Sequence, residues 1–338
     1  MESGRRTILD VLYNNQKISN DIAPFISKIS HTDNFIGEAD SISITLSDRE
    51  NRWIGPWMPK IGASLNAALI SSGWDTEKSI RRKLGYFEID KIEVGGPPAS
   101  LTIGGISVPE SSSLRGEAKF RSWEKTTLKK VATDIAQRNK VQIYFDSSDN
   151  PTYDRVEQEY ETELSFLKRL CTDAGLALKV TNNSIAIMDE RKFEMATEVA
   201  TIKRSSRNLK DYQFENNLTG TFRSCKVQYT IPKKKKTIHY TFTPSKGPKT
   251  DRVLIVNEEV KNEAEAMKLA KNRLRAENKK AISGSITIAG ISPYYAGQTL
   301  ILDEFGFFNG KYIITSVTID SGSGSSTTLD LRKCLEGY

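Results

Sequence analysis

The residues that could do chemistry are few and scattered. His31 and His239 are the chain's two histidines, the side chains that most readily exchange a proton near neutral pH. His31 falls at the end of an expected strand, and His239 sits between Ile238 and Tyr240 in another. Neither has a second His or a Cys at ligand spacing, so both read as structural. Cys171, Cys225 and Cys334 are odd in number and far apart, with no C-x-x-C pair. They read as free thiols in the core, not as a disulfide framework or a zinc site. A glycosidase needs two carboxyls across a cleft. Glu88, Asp90 and Glu93 instead follow one another along an expected strand, and Asp303 and Glu304 share a turn. Gly95–Pro98 and Gly104-Gly105 lack the spacing and the lysine of a phosphate loop. The sequence therefore assigns no catalytic residue, no metal ligand and no cofactor.

Charge is the next candidate. The formal net charge is +7, and the stretch Lys233–Arg252 holds seven basic residues against one acid, Asp251. The rest of the chain is close to neutral, which is unlike a basic nucleic-acid face. Lys233, Lys234, Lys235 and Lys236 stand between two alternating stretches, so they read as a hairpin turn. Such a tip is either solvated or a contact for an acidic partner or for the contents of a channel. A single loop of this kind gives weak, salt-sensitive binding and no sequence-specific recognition of nucleic acid.

The segment Ser30–Gly62 is the most informative. Ile42, Ile44 and Leu46 alternate with Ser41, Ser43 and Thr45, the pattern of a half-buried strand. After a polar turn come Trp53, Pro56, Trp57 and Pro59, too broken for regular structure. Large aromatics in a Pro-rich loop need a packing partner. These four residues are interface candidates. They either plug the end of their own β unit or fill a pocket on a neighbouring subunit.

The elements around these residues fall into three blocks. Residues 1–110 read as short strands near Ile8–Leu12, Ile26–His31, Ser41–Leu46, Ser64–Ser71, Gly85–Val94 and Ala99–Ser107. The inward phase switches at Asp90–Lys91, which predicts a β-bulge. Residues 111–199 read as a small α+β unit. Leu128, Val131, Ala132 and Ile135 give a helical stripe that Thr126 or Thr127 can cap and Asn139 can end. Val141–Phe145 is a strand. A second helix runs from about Thr162 to Ala174, with Gly175 placed to end it. Leu176–Val180 and Ser184–Asp189 form a hairpin. Residues 200–338 return to strands, at Cys225–Tyr229, Ile238–Phe242, Ser285–Ala289, Thr299–Leu302, Tyr312–Thr318 and Thr327–Arg332. One helix interrupts them at about Glu263–Glu277, with Asn262 and Glu265 at capping-box spacing. The fold class is mainly β with an α+β insert between two β units of similar size. No apolar run approaches the length of a membrane span. The first residues lack the apolar core of a secretory signal, so the chain is expected to be made in a cytoplasm.

Five blocks, in this order, resemble the baseplate hub family of contractile phage tails, also called the late control protein D family. They are TDNFIGEADSISITLSDRENRW (Thr32–Trp53), GYFEIDKIEVGGPPASLTIGG (Gly85–Gly105), WEKTTLKKVATDIAQRN (Trp123–Asn139), ELSFLKRLCTDAGLALKV (Glu163–Val180) and AGQTLILDEFGFFNGKYIITSVT (Ala296–Thr318). Relatives occur in PBSX-type defective prophages, in phage-tail-like bacteriocins and in the N-terminal part of type VI spike proteins. No block is a chemical motif; specificity lies in their number and order.

The resemblance implies two β-barrel domains like the tail-tube subunit, at 1–110 and 200–338, flanking the α+β domain at 111–199. It implies a homotrimer presenting six barrels, which adapts a six-fold tail tube to a three-fold central spike. The implied partners are the tube or tube-initiator protein, the spike, other baseplate proteins and the tape-measure protein. The implied place is the baseplate of a virion or tail-like particle, assembled in the bacterial cytoplasm. A tail-associated cell-wall-degrading enzyme is the alternative. It would need an acid–base pair outside a strand or turn. A monomeric nucleic-acid-binding protein would need basic residues spread over a face.

Overall fold

The computed structural model describes residues 6–73, 80–108, 113–181, 183–231 and 236–338. Lys233–Lys235 lie outside the described residues. The first β unit contains β1 (Arg6–Tyr13), β2 (Gln16–Lys17), the short α1 (Ser19–Ile22), β3 (Ile26–Asn34), β4 (Ser41–Ser47), β5 (Ser64–Ser72), β6 (Ile80–Gly95) and β7 (Ser100–Ile106). The phase switch read at Asp90–Lys91 is a bulge, where the pairing of β6 with β7 shifts between Ile89 and Lys91.

The insert contains α2 (Ser113–Gly116), β8 (Lys119–Thr127), α3 (Leu128–Arg138), β9 (Gln142–Asp146), β10 (Thr152–Glu161), α4 (Glu163–Ala174), β11 (Ala177–Val180), β12 (Ser184–Met188) and α5 (Glu190–Met195). Thr127 caps α3 by accepting from the Lys130 N–H, and Thr162 caps α4 by accepting from that of Ser165. Gly175 ends α4 in the left-handed conformation, at φ 69°. The buried stripes Leu128, Val131, Ala132, Ile135 and Phe166, Leu167, Leu170, Cys171 meet in one core. The ribbon of β8 and β10 is absent from the sequence reading. Both of its faces carry charges, such as Arg121, Glu124, Arg155 and Glu157, so its strands do not alternate in hydropathy.

The remaining elements are β13 (Thr201–Lys203), β14 (Leu209–Asn216), β15 (Ser224–Ile231), β16 (Lys236–Phe242), β17 (Val253–Val256), α6 (Glu263–Asn278), β18 (Ile282–Ala289), β19 (Thr299–Asp303), β20 (Gly310–Ser321) and β21 (Ser325–Lys333). Asn262 caps α6 through the Glu265 N–H, and Glu265 accepts in return from Lys261, one residue before the cap. The block read as 200–338 divides in two. β15, β16 and β17 form a separate three-stranded sheet, covered by Ala266, Ala270 and Leu274 of α6. The strands either side of the lysine segment therefore belong to this small sheet and not to the second β unit. Alternation identifies a strand without saying which sheet it joins.

The two β units share one strand order. The first runs β1-β5-β6-β7-β4-β3, and the second runs β13-β19-β20-β21-β18-β14. Their irregularities also match. The shift between Ile26 and Lys28, where β3 meets β4, recurs between Leu209 and Asp211, where β14 meets β18. The shift between Ile89 and Lys91 recurs between Ile314 and Ser316. Aligned by these registers, Gly85 and Gly310 both take positive φ, 119° and 131°. The hydroxyl pair Thr45–Thr102, at 3.1 Å, has its counterpart in Thr287–Thr328, at 3.0 Å. Opposed volumes are exchanged but conserved in sum: Ile42 faces Gly105, whereas Gly284 faces Leu331. The units differ at one end, where β1 is antiparallel to β5 but β13 is parallel to β19.

The units join directly. β20 runs on beyond β19, and its residues Ser316–Ser321 pair with Ile29–Asn34 of β3. One sheet of 13 strands results, over one core that takes Ile44, Leu69 and Ile89 from the first unit and Leu300, Ile314 and Leu331 from the second. Both smaller modules leave from the same end of this sheet. Ser41 stands opposite Ile106, so the β3–β4 turn and the exit into the insert lie together. Ser283 stands opposite Arg332 in the matching place, and the small sheet is inserted between β14 and β18 there.

Two buried ionic clusters lock the modules to the sheet. In the first, Asp33 of β3 accepts from Lys179 of β11 at 2.9 Å and from the Ala296 N–H at 3.0 Å. The same carboxylate lies 3.9 Å from Arg82 of β6, which donates to the Ser292 carbonyl at 3.0 Å. Burial pulls the Lys179 pKa down, but Asp33 and Asp40 more than offset it and leave it raised. In the second cluster, Arg332 of β21 donates to Glu190 at 2.6 Å and to Glu194 at 2.5 Å, both on α5. Arg275 and Lys279 of α6 reach Glu194 and Glu190 at 2.5 and 3.2 Å.

This second cluster predicts acid lability. Burial raises the Glu190 pKa, but Arg332 and Lys279 outweigh it and the net shift is downward. A carboxylate held below its unfolded value of about 4.3 stabilises the fold above that pH and loses the contribution as pH falls through the folded value. Thermal melts from pH 7 to pH 3 should show the midpoint falling below about pH 4–5. Glu190→Gln should begin less stable and lose less on acidification. An unchanged acid limb in that variant would refute the assignment.

Candidate interaction site

The β4–β5 connection carries Trp53, Pro56, Trp57 and Pro59, at the end of the sheet opposite the two modules. It is held from within. The buried carboxylate of Asp48 accepts from the Trp53 and Ile54 N–H groups at 3.0 and 3.2 Å. The Arg52 carbonyl accepts from Gly55 and Trp57. Trp53 is 7 % exposed and joins the main core. It meets Phe25 and Trp57 edge to face, at 5.6 and 5.4 Å between ring centres. Trp57 is 44 % exposed, with the Arg52 guanidinium 5.0 Å above its ring.

The two tryptophans therefore separate. Trp53 closes the end of its own unit, while Trp57 faces outward with Ile54, Met58 and Ile61, all exposed. Pro56 is exposed and Pro59 half-buried. Between this loop and the sheet lies a cavity of about 500 Å³, lined by Val11, Ile22, Ile44, Leu65 and both tryptophans. The matched connection of the second unit is shorter. Gly62 and Gly297 are counterparts, each donating to the residue at the β6 or β20 bulge, Ile89 or Ile314. Six residues, 291–296, there replace the thirteen at 49–61.

The groups considered for chemistry do not converge. His31 is buried against Phe87, and burial pushes its pKa down to about 4. His239 is exposed on β16. Burial pushes the Cys171 thiol up to about 12, and Cys334 is half-buried. Asp90 and Glu93 are exposed, the latter 2.7 Å from Lys91, and Glu304 accepts from the Ser205 N–H. Among the described residues, no three His, Cys, Asp or Glu side chains gather as a metal site. No described helix is long and apolar enough to cross a membrane. Lys236 opens β16 opposite Ile231, and the other three lysines of the tetrad lie outside the described residues.

Sequence reasoning missed the ionic clusters and the unpaired edges of the large sheet. The clusters draw together residues from 49 to 263 positions apart, which no local pattern reveals. The edges could have been found only by noticing that the two β units repeat.

The whole chain has the fold of known tail proteins. The 43 kDa tail protein of prophage MuSo2 from Shewanella oneidensis superposes with a TM-score of 0.75 at 14% identity, over 97% of this chain and 98% of that one. A tail protein from Neisseria meningitidis MC58 gives 0.72 at 15% identity, over 98% and 97%. A component of the Escherichia coli type VI secretion system gives 0.57 at 12% identity, over 93% and 75%. No curated protein matches the chain by sequence. The model of the phage tail baseplate hub (GPD) family matches residues 107–325, more than half of the chain and the part that holds the insert, the small sheet and most of the second β unit. The five sequence blocks and the repeated β unit thus have one explanation: the chain belongs to the phage tail baseplate hub family.

Proposed function

We propose that the protein is a non-enzymatic adaptor, a homotrimeric hub that joins the tail tube of a contractile particle to its central spike. The repeated β unit carries this reading. Two units matched down to their bulges give a trimer six near-equivalent units, as a six-fold tube requires. The elaborations are not repeated. The insert and the small sheet occur once per chain, at one end, so that end of a trimer is three-fold. It suits the spike, and the opposite end suits the tube or tube-initiator protein. Other baseplate proteins and the tape-measure protein are the further partners. We read Lys233–Lys236 as a solvated tip, because four adjacent like charges repel one another.

Removing the chain from a producing bacterium tests the reading. Tubes without spikes or baseplates are expected, and density for the restored, tagged protein should appear in three copies between tube and spike. Functional particles without the chain, or a copy number other than three, would refute it. The outward aromatic patch gives a second test. Trp57→Ser with Met58→Ser should cost about 1–3 kcal/mol, through the edge-to-face contacts of Trp57 with Trp53 and Phe25, and leave the chain folded. The variant should nevertheless fail to seat on the tube. Normal particles from the double variant would remove this loop from the interface.

A further inference from the structure

The small sheet is tied to the rest of the chain at one end. The chain enters it after β14 and leaves it before β18, and these two links lie side by side, with the Asn217 N–H donating to the Ala281 carbonyl at 2.7 Å. The last turn of α6 is fixed at the same place. Asn278 accepts from the Phe222 N–H at 2.8 Å and donates to the Phe222 carbonyl and the Tyr338 hydroxyl. Arg275 and its partner Glu194 on α5 are 8 % and 4 % exposed. β15 and the parallel β17 run away from this end, and α6 runs back to it. The first turn of α6 is therefore remote from the links, by about 24 Å for a helix of this length. That end is held differently. Lys261 reaches Asp154 of β10 at 2.6 Å, with the two side chains 60 % and 89 % exposed. Lys268 reaches Asp149, in the loop before β10, at 2.8 Å, and both are about one-third exposed. Midway, Arg273 lies 3.6 Å from Asp173, and Asn272 donates to the Ala174 carbonyl at the end of α4. The insert and the small sheet keep separate apolar cores.

We infer that the small sheet and α6 form a hinged flap. Its pivot is the buried cluster of Glu190, Glu194, Arg275 and Arg332 with the two adjoining links. Its latch is the exposed pairs Lys261–Asp154 and Lys268–Asp149. Salt, or an acidic group of a partner brought to Lys261 and Lys268, releases the latch, and the remote end swings away from the insert. The pivot holds because buried ion pairs are screened far less than exposed ones, which are weak to begin with. Both covalent links lie at the pivot, so a rotation there stretches neither of them. Ala266, Ala270 and Leu274 seat α6 on its sheet, so the two move as one body. Opening exposes polar groups that water can satisfy and tears no apolar core. The hinge stands on this geometry alone. Its consequence rests on the hub reading: at the end assigned to the spike, the position of the small sheet depends on whether an acidic surface is docked there.

Distances between two spin labels on the purified full chain test the flap. Gln137→Cys on the insert and Gln228→Cys on the small sheet are exposed positions, labelled in a Cys334→Ser background because that thiol is half-buried. Raising the salt from about 0.01 M to about 1 M shortens the Debye length from about 30 Å to about 3 Å. The distance distribution should then gain a component several ångströms longer, with unchanged circular dichroism. Lys261→Glu with Lys268→Glu should give that longer component already at low salt. Adding Asp149→Lys and Asp154→Lys restores opposite charges and should bring the short distance back. One distance at both salt concentrations and in the reversed-charge variant would overturn the flap. So would loss of strand signal in salt, which would mean that the module melts instead of swinging, or a failure of the swapped charges to restore the short distance. Each of these outcomes leaves the hub reading standing, because that reading is tested by the copy number in the particle.

Discussion

Replacing Asp33 with Ala is expected to destabilise the chain by about 3–5 kcal/mol, the usual cost of stripping one partner from a buried ion pair. The carboxylate is nearly buried and faces two cations, Lys179 at 2.9 Å and Arg82 at 3.9 Å, and Arg82 is itself almost fully covered. Removing it leaves Arg82 without a carboxylate in a low-dielectric interior, leaves Lys179 with Asp40 alone at 3.3 Å, and orphans the Ala296 N–H. Lys179 belongs to the insert, Arg82 to the first β unit and Ala296 to the second, so all three should loosen together. Urea unfolding of wild type and variant measures the effect. A loss under about 1 kcal/mol would place the cluster among surface ion pairs. Asp33→Asn should fall between the two, since an amide oxygen can still accept from Ala296.

Trp53→Ala is expected to cost a similar amount, on the order of 3–5 kcal/mol, through lost aromatic burial and the cavity left behind. Trp53 already borders a cavity of about 500 Å³, so the neighbouring side chains have little means of closing the gap. Phe25 and Trp57 would each lose an edge-to-face partner. The contrast with Trp57 is the sharper observation. The inner tryptophan should govern unfolding and the outer one particle assembly. If both substitutions lowered the melting temperature equally, the division of roles would be wrong.

The three long helices α3, α4 and α6 were legible in the sequence because periodicity and cap agree in each, whereas the short α1, α2 and α5 were not read. Thr127, the Leu128–Ile135 stripe and Asn139 bound α3 without tertiary information. Most strands were legible for the same local reason, but β2, β8, β10, β13, β14 and β17 were not read. The repeat shows only in part: β4 and β18 share Ser41, Ser43, Ile44 and Thr45 with Ser283, Ser285, Ile286 and Thr287, but other counterparts keep only chemical class, as in Ile103 and Leu329, and sometimes not even that, as in His31 and Phe214. What duplicates is the register, with its bulges and its positive-φ glycines, and register shows only when strands pair. The fate of the two tryptophans was equally hidden. Four residues apart in one loop, they differ in burial because the Asp48 turn directs one to the sheet and leaves the other in solvent. The lysine segment shows the converse limit, since its flanking strands were found correctly and assigned to the wrong sheet.

The β3–β20 pairing also has a consequence for synthesis. Its partners are nearly three hundred residues apart, so the first β unit leaves the ribosome long before its neighbour exists. During that interval the edge of β3 stays open, and long-range strand pairing is slow because a large loop must close first. An open edge is an aggregation hazard unless charge guards it. β3 carries Lys28 and Asp33, and in the finished fold Lys28 lies 3.5 Å from Asp320 of its late partner. A strand made nearly three hundred residues later therefore seals the edge of β3, and a chain truncated before β20 should be captured by chaperones rather than accumulate as a half-built hub.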